Sequence, residues 1–80
     1  MQVNNELAIE LCAKHCELHG LTVSHPPIMV RHFTAQVLSE SLGIRRDQGQ
    51  YLVAFNAENS RIVHVAVDDE TGKVEIMEDL

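Results

Sequence analysis

Basic residues are scarce in this chain. Six Lys and Arg stand against twelve Asp and Glu, for a formal charge of −6. Neutralising a phosphate backbone takes clustered Lys and Arg, and only Arg45 and Arg46 are adjacent. A nucleic-acid surface is therefore not expected. Long apolar runs are missing too: none approaches the ~20 residues of a bilayer span, so no membrane partner is expected. Residues 1–10 hold no basic region ahead of an apolar stretch, and no secretory signal is expected. No repeat, low-complexity run or linker divides the 80 residues, which points to a single domain.

Cysteine is limited to Cys12 and Cys16. Four residues apart on a helix, they sit on successive turns, too far apart for an unstrained bridge. Two free thiols favour a reducing compartment, and the expected localisation is cytoplasmic. What is present is ordinary: 45% hydrophobic and 22% charged residues are the proportions of a globular chain. A domain of this length buries only roughly 60 to 65% of the surface its unfolded form exposes, which makes self-association attractive.

Hydrophobic spacing predicts a helix over residues 5–19. At ~100° per residue, Glu6, Glu10, Ala13, Lys14 and Glu17 gather on one side. Leu7, Ala8, Leu11, Cys12, His15, Cys16, Leu18 and His19 cover the other. Asn4 or Asn5 supplies a start and Gly20 a stop. Pro26 and Pro27 read as the start of a second helix over residues 27–42, because the missing proline N–H would be unpaired in a first turn anyway. Gly43 ends it. After a polar loop, Tyr51, Val53 and Phe55 alternate with Leu52, Ala54 and Asn56. Val63, Val65 and Val67 alternate with Ile62, His64 and Ala66, and Val74 and Ile76 with Glu75 and Met77. Residues 68–72 form the hairpin between the last two strands, with Gly72 taking a positive φ.

These elements predict an α+β fold with two N-terminal helices packed on one face of a three-stranded antiparallel β-meander. The helices would cover the valine face. Leu52, Ala54, Ile62, His64, Ala66 and Met77 are then left on the opposite face, too apolar a set for a chain this small to leave bare. The expected use of that face is a homodimer interface.

Cys12, His15, Cys16 and His19 are the most notable reactive group, since all four are zinc-ligand types within two helical turns. Four ligands on one straight helix cannot close a tetrahedron, so a zinc site would need partners such as His25 or His32. The plainer alternative makes the cysteines small buried hydrophobes and packs one histidine inward. A cysteine nucleophile is disfavoured because neither thiol sits at a helix N-terminus. Arg31, Arg45, Arg46 and Arg61 form an anion site only if folding gathers them. Asp68, Asp69 and Glu70 lack the alternating spacing of a calcium loop and read as turn residues.

The stretch from Tyr51 to Ile76 contains Y-L-V-A-F and then R-I-V-H-V-A-V-D-D-E-T-G-K-V-E-I. It resembles the hairpin of PepSY domains, and residues 7–13 look like the helix that precedes it in that family. The resemblance implies a small α+β module that binds or inhibits partners and does not catalyse. It carries over no catalytic residue. The leading expectation is thus a non-enzymatic protein-interaction module. The alternatives are a transition-metal-binding protein using the first-helix Cys/His face, and a small ligand-binding protein or enzyme with a pocket between helices and sheet.

Overall fold

A computed structural model describes residues 2–77. The first helix, α1, spans Asn5–Leu18. Its start is closed by the Asn4 side chain, which accepts the Leu7 N–H at 2.8 Å, satisfying one of the orphan donors of the first turn. Ala8, Cys12 and Cys16, spaced four apart, are fully buried and form the stripe that meets the sheet. The inward side is narrower than the spacing implied. Leu18 is 77% exposed and His19 lies at the solvent-exposed end of the helix.

The second predicted helix is the main correction. Residues 27–42 divide into a strand, β1 (Met29–Phe33), and a shorter helix, α2 (Ala35–Leu42). The residue before a proline is pushed toward extended backbone, and the chain around Pro26 and Pro27 runs alongside the sheet instead of coiling. The Ser24 N–H reaches the Asn56 carbonyl and the Ile28 N–H the Ala54 carbonyl, each at 2.8 Å. The helix signal lies further on, at Thr34, whose hydroxyl accepts the Val37 N–H at 3.2 Å. Val30 and Phe33, within the span expected to be helical, are strand residues.

The sheet therefore has four strands, not three. β1 is followed by β2 (Gln50–Asn56), β3 (Ile62–Asp68) and β4 (Val74–Met77), joined in sequence order as an antiparallel meander. A single 3-10 turn, Glu58–Ser60, links β2 to β3. The hairpin before β4 turns at Gly72, whose φ of 75° is where a side chain would be strained.

Alternation does what the sequence promised in β2 and β3. Tyr51, Val53 and Phe55, with Val63, Val65 and Val67, face α1 and are buried, while Val74 and Ile76 of β4 pack against them. Val30 adds β1 to the same layer. Full burial of such side chains stabilises by roughly 1.5–3 kcal/mol each, so this layer is the main source of stability. Only one helix contributes to it. Leu38 of α2 is buried but stands outside this core, so the expectation of two helices covering the valine face is replaced by α1 alone. No helix among the described residues is long and apolar enough to cross a membrane.

Candidate functional site

Strand alternation turns every second side chain of the sheet away from α1. Leu52, Ala54, Ile62, His64, Ala66 and Met77 all fall on this outer face. The strand unforeseen in the sequence adds Met29, Arg31 and Phe33. Pairing arranges them in rows that cross the sheet: Met29, Ala54, His64 and Met77 form one, and Arg31, Leu52, Ala66 and Glu75 the next. Asn56 and Ile62 lie at one end of the face, and Phe33, Gln50 and Asp68 at the other. Ile62 is 41% and Met77 46% exposed. Met29, Leu52 and His64 are half-buried, and Ala54 and Ala66 are buried.

The Cys/His group of α1 separates into two pairs. Cys12 and Cys16 are both free thiols inside the core. Burial, and secondarily the neighbouring Cys16, pushes the Cys12 thiol up to about 12, and burial raises Cys16 as well. Protonated, enclosed thiols are poor ligands and poor nucleophiles. His15 and His19 meet each other on the flank of the helix, with ring centroids 4.5 Å apart. His25 lies edge-on to Phe55, and His32 belongs to β1. Among the described residues, no three or more His, Cys, Asp or Glu side chains converge to hold a metal ion.

A different histidine makes the closest polar pair. His32 Nε2 lies 2.8 Å from Asp69 Oδ2, and the imidazole stacks on Tyr51 at 4.5 Å between centroids. Asp69 is a junction of three segments. Its carbonyl accepts the Val3 N–H at 2.8 Å and its own N–H donates to the Gly49 carbonyl at 3.1 Å. Together with Gln2, Val3 and Glu70, these residues border an open cleft of about 420 Å³. Of its lining, Tyr51 carries the one hydroxyl, and no thiol, Ser or Thr is present. The pair can orient an imidazole, but it has no conventional nucleophile to activate. The pair joins β1 to the β3–β4 turn, and the Asp69 backbone carbonyl holds the N-terminal segment beside them.

The space between α1 and the sheet is filled by apolar side chains, and no polar residue is buried among the described ones. Convergent buried polar groups are what a ligand pocket requires. The arginines are dispersed: Arg31 on β1, Arg45 beside Asp47 at 3.6 Å, Arg46 near Asp68, and Arg61 after the 3-10 turn. Asp68 binds the Glu70 and Thr71 N–H groups, each at 2.9 Å, as a turn residue does. No family model, curated protein or solved structure matches this chain.

Proposed function

We propose that this protein is a small, non-enzymatic interaction module that forms a homodimer through the outer face of its sheet. The observation that carries the reading is the asymmetry of the two faces. One is sealed by α1. The other presents Met29, Leu52, Ile62 and Met77 around His64, with Ile62 and Met77 more than two-fifths exposed. A second chain laid on that face adds buried apolar surface to a domain whose own core is small. The PepSY-like hairpin, which forms part of the same face, supports a binding role over a catalytic one. Light scattering or sedimentation equilibrium over a concentration series tests the reading. The expected species has twice the 9.0 kDa chain mass, and a strict monomer at ~1 mM rejects it, since even weak association of ~1 mM dissociation constant would show there.

A second reading rests on His15 and His19. An i, i+4 histidine pair with rings 4.5 Å apart is able to take one zinc ion from outside, as paired helix histidines do, with Cys12 and Cys16 turned into the core. Zinc titration decides it. Binding lost on His19→Ala supports this site, and an unchanged melting temperature with no saturable binding rejects it.

A further inference from the structure

The outer face is ordered enough to specify how a second copy would sit on it. Its second row begins with Arg31 on the edge strand β1 and ends with Glu75 on the opposite edge strand β4, with Leu52 and Ala66 between them. Three strand spacings of ~4.8 Å place these two charges ~14 Å apart across the sheet, beyond the reach of an ion pair within one chain. Both are exposed, and neither enters an ion pair among the described residues. The row above it has a methionine at each end, with Ala54 and His64 between.

We propose that two copies pack outer face to outer face about a twofold axis parallel to the strands, running between β2 and β3. This rests on the homodimer reading above. A closed twofold interface sets residue i against j and j against i. An axis in this direction lays each row over itself with its order reversed. Arg31 then faces the partner's Glu75, and Glu75 faces the partner's Arg31. Bulk is matched by the same operation. Leu52 meets the partner's Ala66 and His64 meets the partner's Ala54, a larger side chain against a smaller one in each case. Met29 meets the partner's Met77, and two flexible thioethers adapt to each other at the rim.

The perpendicular choice, a twofold axis along the rows, lacks this complementarity. It sets Arg31 toward the partner's Met29 and Glu75 toward the partner's Met77, so that charges are desolvated against apolar groups without a counter-ion. Stacked sheets lie ~10 Å apart, a gap that an arginine and a glutamate side chain bridge together. Inclining the axis by about 15° to the strands gives the ~30° crossing usual for stacked sheets, and displaces edge residues ~7 Å from the axis by roughly 4 Å, less than the ~7 Å between rows. The face is modest, on the order of 400 Å² in projection for four strands ~20 Å long. Such a small interface belongs with weak, reversible associations, so the dimer should be read at tens to hundreds of micromolar.

Charge reversal tests the register. Sedimentation equilibrium should show a dimer for the wild type. Arg31→Glu and Glu75→Arg should each raise the dissociation constant at least tenfold, because each makes both edge contacts repulsive. An equimolar mixture of the two single variants should associate again, since every facing pair in the mixed dimer is then oppositely charged. The double variant should also dimerise with itself. Circular dichroism and melting curves verify that each variant is folded, which their exposed positions favour. A wild-type monomer overturns both this arrangement and the homodimer reading. A wild-type dimer that tolerates either single reversal overturns the arrangement alone, and assigns association to the free edges of β1 or β4.

Discussion

His32 and Asp69 are 37 residues apart in sequence and 2.8 Å apart in space. The contact ties the first strand to the turn that follows the third. With side chains 41% and 20% exposed, the pair is partly screened by solvent, and such pairs are worth at most about 1 kcal/mol. Stacking on Tyr51 adds packing to the imidazole. His32→Ala should therefore lower unfolding free energy by about 1 to 1.5 kcal/mol. A double-mutant cycle with Asp69→Asn, read by urea unfolding, should give a coupling of about 0.5 kcal/mol or more. Additive single effects would show that the contact contributes nothing as a clasp.

Gly49 makes the same junction possible for a steric reason. A Cβ added there would stand 2.5 Å from the Phe33 carbonyl oxygen and 2.5 Å from Asp69 Oδ2. The first of these is backbone at the end of β1 and cannot rotate away. Gly49→Ala is expected to destabilise by about 2 kcal/mol, the range of an overpacked site. Gly20→Ala meets nothing within 4 Å and carries only its positive φ of 75°, so it should cost about 1 kcal/mol. Thermal melts of the two variants check the order, and equal losses would refute the steric account.

The legible parts of the fold were those in which local pattern and burial agree. Val53, Val65 and Val67 alternate with residues of the other face, and short turns make β2, β3 and β4 sequential neighbours. All six outer-face positions expected from that alternation share the face. β1 was hidden because residues 29–33 are an edge strand with no alternation of polarity, preceded by two prolines that equally well open a helix. Missing it removed Met29 and Arg31 from view, and with them the rows that run the full width of the sheet. The His32–Asp69 contact was beyond reach for another reason: no local spacing connects residues brought together only by the order of four strands.

The two buried thiols should be inert while the protein is folded. A thiol-reactive dye should label Cys12 and Cys16 far more slowly in native protein than in urea, with a rate limited by opening of the helix–sheet layer. Their raised values also impose a direction on alkaline stability. A thiol held above its ordinary 9.0 is favoured as the neutral form in the fold, so its contribution is intact below about pH 9 and is lost as pH rises toward 12. Urea midpoints should fall between pH 8.5 and ~10.5, less steeply in Cys12→Ala than in the wild type. Native labelling as fast as that of a free thiol would contradict the burial.

Acid should act through Asp68. Burial alone pulls its carboxyl upward, but hydrogen bonds from the Thr71 and Glu70 N–H groups, the Thr71 side chain and the nearby Arg46 charge outweigh it and hold the group below the ordinary carboxylate range. A lowered folded-state value means that the carboxylate stabilises the fold above about pH 4, and that this contribution is lost as pH falls through the lowered value. Asp68→Asn keeps an acceptor in the turn but removes the charge. It should flatten the decline in melting temperature between about pH 4 and pH 2 relative to the wild type. Asp68→Ala removes both hydrogen bonds and should also lose about 1 kcal/mol at neutral pH. Parallel acid profiles for wild type and Asp68→Asn would remove this carboxylate from the account of acid sensitivity.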